Sequence, residues 1–340
     1  MKPIKIAQIG TEHDHAPAIA DTLRKRPDLF EFIGYCNPED IHAVEDENKI
    51  YKEIPKLTLE EIWNTPGLEA VAIETSEHNL CKYALEAAKR GLHMHMDKPG
   101  GQKLEEFEEL VAILKEKNLT FSTGYMYRFN PYINEALEIV RSGKLGTIYS
   151  VEAHMDCEHK PSKRQWLGQY QGGMMFFLGC HLVDLIVQIM GIPEEVVPFN
   201  TRICTDGVDS EDMGMAVFKY KNGLAFAKTS AAEPGGFMRR QLVICGNKGT
   251  IEIRPLEWYD NSVETVYKRT PQKTKMRIVY ESGNWNEDGE TKISFPIDRY
   301  GDMMFSFAQV VRGEKENPVS YDYELELYKV VLKTCGFEVK

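Results

Sequence analysis

The stretch Lys5-Ile6-Ala7-Gln8-Ile9-Gly10-Thr11-Glu12-His13-Asp14-His15 carries the chain's first regular pattern. An apolar run, Lys5–Ile9, stops at Gly10, and helical spacing follows over Pro17–Arg26. A strand, a glycine turn and a helix make the first half of a βαβ unit. Outward from there the alternation repeats. Phe30–Cys36 is strand-like and stops at Asn37-Pro38, Leu59–Trp63 suggests a short helix, and Ala70–Ile73 is a buried strand. Leu80–Arg90 is amphipathic and stops at Gly91, a favoured helix terminator. His93–Met96 is a short strand. Leu104–Lys117 places Leu104, Phe107, Val111 and Leu114 on one helical face, and Thr120–Thr123 is a further strand. Such alternation requires right-handed crossovers and gives a parallel sheet. Residues 1–124 are therefore expected to form a Rossmann-like, doubly wound α/β domain.

The pattern changes after Gly124. Pro131–Arg141 and Met174–Met190 have helical spacing, whereas Ile148–Met155, Met213–Tyr220, Leu224–Ser230, Leu242–Cys245 and Thr250–Ile253 have β character. Asn222-Gly223 and Asn247-Lys248-Gly249 are hairpin signals between successive runs. Residues 260–296 are polar without a clear period, and Met303–Val311 and Tyr323–Leu332 look like closing helices. Residues 125–340 are thus expected to form an α+β domain with a large, mostly antiparallel sheet.

The chain has 340 residues, about two domains' worth at ~150 residues each. Its 52 acidic and 41 basic residues give a net charge of −11. That balance argues against a sequence-blind nucleic-acid binder and against binding to anionic membranes. No apolar run reaches the ~18 residues of a transmembrane helix. Seven cysteines without a Cys-x-x-Cys pair read as reduced thiols, and the expected location is cytoplasmic.

In an open α/β sheet the first βα turn faces a dinucleotide pyrophosphate at a helix N-terminus. The usual fingerprint is Gly-x-Gly-x-x-Gly. Here Gly10 alone is kept, Glu12 holds the second position and His15 the third. An acid facing a pyrophosphate is repelled. Asn37, at the end of the second strand, can bond an adenosine ribose and repels a 2′-phosphate less than Asp, so NAD and NADP both stay open. A turn-forming Asn before Pro38 is the plainer alternative. Lys98-Pro99 closes the His93–Met96 strand and aims an ammonium at the crevice. Gly172-Gly173 opens a helix on which His181 and Asp184 share a face, with Phe177 four residues before His181.

Asp97-Lys98-Pro99, Tyr127-Arg128-Phe129-Asn130-Pro131, the Gly172-Gly173…His181…Asp184 helix and Gly246-Asn247-Lys248-Gly249-Thr250 stand in an order that resembles the Gfo/Idh/MocA oxidoreductases, the glucose–fructose oxidoreductase and inositol dehydrogenase group. The resemblance covers nearly the whole chain. It implies NAD or NADP on the first domain and a sugar, polyol or related substrate on the second, with a hydride exchanged at a carbinol carbon. It implies His181 as acid–base, Lys98 bonded to the reacting oxygen, and Asp184 binding a neighbouring hydroxyl or orienting His181. The cofactor would be held by Gly10, Thr11, Glu12, His13, His15, Asn37, Thr75, Asp97, Lys98 and Arg128. Arg128 and Asn130 would shape the junction, Tyr127 would touch substrate, and a cis Lys98–Pro99 bond would aim Lys98. Three departures stand out: two glycines of the phosphate loop are missing, Asn37 replaces the ribose acid, and Phe177 stands where the family usually has a polar residue.

Strand alternation would set His154, Asp156 and Glu158 on one face towards substrate, where they would bind sugar hydroxyls or a divalent metal; no metal ligand set is assigned. His13 and His15 would add ligands only with the crevice closed. Trp166 can stack on a sugar ring and Arg164 can reach an acidic group, unless both are solvated loop residues. Against the dehydrogenase stand a lyase or hydrolase on oxidised sugars and a sugar-sensing protein without turnover. The uncovered sheet face predicts a homo-oligomer, a dimer or tetramer.

Overall fold

The computed structural model describes residues 2–39, 49–257, 274–281, 283, 290–293 and 298–339, with the backbone alone for 290–293. Most of the polar stretch 260–296 lies outside the described residues. Two compact units are present, Met1–Met126 with Asp298–Tyr328, and Tyr127–Ile297 with Lys329–Lys340.

The first unit is a parallel sheet of β1 (Ile4–Ile9), β2 (Phe30–Cys36), β3 (Ala70–Ile73), β4 (His93–Met96) and β5 (Phe121–Thr123), ordered β2-β1-β3-β4-β5. The crossovers carry α1 (Ala16–Lys25), α2 (Leu59–Trp63), α3 (Leu80–Lys89) and α4 (Leu104–Lys117). Strands covered by helices on both faces read as unbroken apolar runs, and all four β3 residues are buried. Thr58 caps α2 with a full capping box, its hydroxyl taking the Glu61 amide while Glu61 takes the Thr58 amide.

The unit is discontinuous in sequence, which corrects the expected 125–340 domain. Asp298–Tyr328 belongs with the Rossmann sheet because its side chains pack there. Tyr328 stacks on Phe107 at 4.2 Å, the Thr123 hydroxyl donates to Glu324 at 2.7 Å, and the Tyr321 hydroxyl donates to the Leu119 carbonyl at 2.7 Å.

The second unit holds an eight-stranded sheet among the described residues: β6 (Ile148–His154), β7 (Glu195–Thr201), β8 (Met213–Tyr220), β9 (Gly223–Ser230), β10 (Gln241–Gly246), β11 (Gly249–Arg254), β12 (Lys275–Tyr280) and β13 (Glu290–Ile293). The order is β13-β12-β11-β10-β6-β9-β8-β7, antiparallel except for the β6–β9 pair. Alternation splits it into two faces. Val151, Ala153, Ala216, Phe218, Ala225, Ala227, Leu242, Ile244, Ile251 and Ile253 are buried on one. That face carries α7 (Cys180–Met190), preceded by α5 (Pro131–Arg141) and α6 (Pro161–Trp166) in the chain. The other face is open, with Phe199 53% and Leu224 54% exposed.

Phe218 sits wholly inside the covered face. Phe218→Ala is expected to lower unfolding free energy by about 3–5 kcal/mol, the range for deleting a buried phenyl ring, as read from urea midpoints at constant slope.

Candidate active site

Ligands of open α/β sheets meet the carboxyl ends of the strands, and the first unit gathers its polar residues there. Gly10 has φ +92°, and a Cβ on it would lie 2.4 Å from the Thr75 nitrogen, so the turn after β1 requires glycine. Gln8 pins the turn by donating to the Gly10 carbonyl at 2.9 Å. Thr11, His13, Thr75, Asp97 and Lys98 are all buried with it, and Glu12, His15 and Asn37 are partly so.

Asp97 is the centre of this group. One of its oxygens accepts the Lys98 amide at 2.7 Å, and the other lies 3.0 Å from His15 Nδ1 and 3.2 Å from His13 Nδ1. Burial opposes its charge, but His13, His15 and Lys98 outweigh it and hold the carboxyl well below the usual carboxylate range. Burial, and then the charge of Asp97, push Glu74 the opposite way, well above that range. Burial lowers His13 to about 3 and His95 to about 4 against the pull of Asp97, so both rings are neutral at pH 7. Glu74 and Glu77 are members that sequence reading missed; their position directly past β3 was the available signal. The Lys98–Pro99 bond is cis.

The turn tests whether a dinucleotide fits. Its glycine geometry does, and the Thr11 amide already holds an anionic oxygen, donating to Glu12 Oε2 at 2.9 Å. Glu12 thus stands in for a phosphate. The helix behind it offers less than usual: Ala16 and Ala18 donate to the His13 and His15 carbonyls at 3.0 and 2.9 Å, and Pro17 has no N–H.

In the second unit, Met175–Gly179 form a π-helix that runs into α7. Phe177, four residues ahead of His181, meets Trp166 edge-on at 5.4 Å, and the Lys163 ammonium lies 3.7 Å from the Trp166 ring centroid and 4.6 Å from that of Phe177. His181 is buried with its ring edge-on to Tyr127 at 5.5 Å. Tyr127 donates to Glu257 at 3.1 Å, and Glu257 pairs with Arg240.

Several expectations change here. Asp184 is gripped by Arg128 through Nε (3.0 Å) and Nη2 (2.8 Å), with Gln188 donating at 2.8 Å; Arg128 therefore orders α7 rather than standing open for cofactor. Arg164 is buried on Asp212 (2.8 Å), Asp206 (2.6 Å) and Thr205 (2.8 Å), which removes it as a receiver of acidic substrate. β6 ends at His154, but its ladder to β9 runs on, the Met155 and Cys157 amides donating to the Lys228 and Ser230 carbonyls at 3.0 and 2.9 Å, so that His154 and Asp156 both meet Lys228. Pairing opposite Lys228 and Gln241 puts His154 on the open sheet face, away from the face that α7 covers. Its ring packs edge-on to Phe226 at 5.4 Å, and burial, then Lys228 and Arg239, lower its pKa. Asp156 is buried on Lys228 at 3.1 Å; burial raises its pKa ahead of the opposing pull of Lys228. Glu158 is exposed. His13 and His15 join Asp97 instead of these residues.

Comparison with known proteins fits this architecture. Residues 4–125 match the domain described as "Oxidoreductase family, NAD-binding Rossmann fold", and residues 133–252 match the "GFO/IDH/MocA C-terminal domain". The chain belongs to the Gfo/Idh/MocA oxidoreductase family, whose N-terminal domain is an NAD-binding Rossmann fold. Uncharacterized oxidoreductase YhhX of Escherichia coli is 30% identical over 187 residues, 55% of this chain and 54% of that one. The match thus spans about half the length of that curated relative. The 2,7-anhydro-N-acetylneuraminate hydratase of Escherichia coli is 22% identical over 68% of this chain and 62% of its own. The crystal structure of a putative NADPH-dependent oxidoreductase from Desulfitobacterium hafniense shares the fold, with a TM-score of 0.80, 20% identity and coverage of 99% and 95%. Among the described residues no helix is long and apolar enough to cross a membrane.

Glu12→Gln keeps the bond to Thr11 and removes a charge that opposes a pyrophosphate. The variant is expected to bind NADH or NADPH about tenfold more tightly, a gain of ~1.4 kcal/mol, by calorimetric titration.

Proposed function

We propose that the protein transfers a hydride between NAD or NADP and a hydroxyl or keto carbon of a sugar, polyol or sugar derivative. The observation that supports this best is the side chain of Lys98, buried to 1% exposure at the carboxyl end of β4 in an NAD-binding fold. A lysine is costly to bury unless a charge or reacting oxygen needs it there. The nicotinamide, when bound, supplies or takes the hydride. Gly10 and Thr11 would receive the pyrophosphate once Glu12 swings away, and Asn37 the ribose. Lys98 donates a hydrogen bond to the reacting oxygen and supports its developing charge. His181 takes the hydroxyl proton at a ring nitrogen, and the ring of Tyr127 fixes its plane. Asp184, locked by Arg128, holds the α7 turn that carries His181. Trp166, half-buried, offers an aromatic face to a sugar ring.

A redox-neutral lyase or hydratase reaction is the second reading. Phe177, which cannot relay a proton, and the internally bonded turn amides favour it. The two readings separate in one assay. Hydride transfer changes nicotinamide absorbance stoichiometrically with product, while the neutral reaction forms product without that change. Lys98→Ala and His181→Ala are each expected to lower turnover by at least ~100-fold with an unchanged circular dichroism spectrum. Full rates in both variants would sink the assignment.

The open sheet face, carrying Val197, Phe199 and Leu224, is proposed to pair with a second copy. Light scattering is expected to show a dimer or tetramer, and Phe199→Glu to shift it towards monomer. Wild-type protein that runs as a monomer contradicts the pairing.

A further inference from the structure

The cluster under the first βα turn holds more chemistry than hydride transfer uses. His13 Nε2 lies 3.1 Å from the Lys98 carbonyl oxygen, which only accepts, so that nitrogen carries the ring proton. Nδ1 then has one lone pair, which faces the His15 amide at 3.2 Å, a contact that an ion bound at Nδ1 would replace. The same Nδ1 faces Asp97 Oδ2 at 3.2 Å, an acceptor set against an acceptor. His15 Nδ1 converges on that oxygen at 3.0 Å. Behind them Glu74 and His95 are wholly buried, and the His95 ring nitrogens make no hydrogen bond. His95 Nε2 is 3.6 Å from Glu74 Oε1. The donor atoms of His13, His15 and Asp97 lie within 4.8 Å of one another, as do those of Glu74, His95 and Asp97.

A cation reconciles these contacts. Ligand atoms ~2.1 Å from one ion lie ~3.0 Å apart at octahedral angles and ~3.4 Å apart at tetrahedral ones. The separations of 3.0 and 3.2 Å about Asp97 Oδ2 fall in that interval. The His13 bond to the Lys98 carbonyl is the outer contact that orients a metal-bound imidazole. Two imidazoles with one carboxylate favour a first-row transition ion over Mg²⁺ or Ca²⁺. The geometry points to a metal site: His13, His15 and Asp97 bind one divalent transition ion of the Zn²⁺ or Fe²⁺ kind, flanked by Glu74 and His95. The site is not needed for the hydride reading and is tested without substrate.

Protein from cells grown with added zinc and iron is expected to carry about one ion per chain by elemental analysis after dialysis. Protein stripped by a chelator and refilled with Co²⁺ should show a visible d–d band. His15→Ala, a change on the partly exposed turn, should lose the band and weaken Zn²⁺ binding by at least ~100-fold in chelator competition. Asp97→Ala should do the same; if it does not fold, His15→Ala decides. His154→Ala, in the other unit, should keep both metal and band. Supplemented wild-type protein without bound metal and without a Co²⁺ band overturns the site. A band unchanged in His15→Ala overturns it equally.

Discussion

The first unit is organised around a carboxylate that has lost all contact with water. Taking an ion of that kind out of water costs ~20 kcal/mol in the idealised limit and several kcal/mol after relaxation. Asp97 meets that cost with groups drawn from separate strand ends: His15 after β1 and the amide of Lys98 after β4. The demand reaches the backbone as well. A Cβ on Gly124 would lie 2.4 Å from Asp97 Oδ1, so the residue after β5 has no room for a side chain. Glu74, forced close to this charge, is pushed towards its neutral form. One buried ion thus fixes the residue types around the carboxyl ends of three strands.

Much of the fold was legible in the sequence, because alternating strands and helices leave a period that composition cannot hide. The runs at Phe30–Cys36, Ala70–Ile73 and His93–Met96 became strands with those same bounds. The return of Asp298–Tyr328 to the first unit was not legible, since it depends on the match of Tyr328 to Phe107 across more than two hundred residues. The site divided in the same way. Gly10, Asp97, Lys98 and the histidines after β1 do lie together at the strand ends, which is where ligands meet such sheets. Glu74 escaped notice because a lone acid after an apolar run looks like a turn, and its burial is a tertiary fact.

The misreadings in the second unit have physical causes. Period-two reasoning set His154 and Asp156 towards substrate, but pairing with Lys228 puts His154 on the open side of the sheet, away from α7. Arg164 looked like a substrate receiver from its place in the chain, yet buried Asp212 claims it. In each case a residue type was read correctly and a local geometry was not.

Pro198, in the middle of β7, bears on how this protein behaves when crowded. β7 lies at one end of the large sheet, and an edge strand is a template on which foreign chains can add. A proline there has no amide proton, so the hydrogen-bond ladder an incoming strand would extend has one donor fewer. The face-to-face pairing proposed above would close on itself, whereas edge-to-edge addition would let ribbons grow without limit. Resistance to fibrous aggregation is thus built into the strand that flanks the most exposed apolar surface.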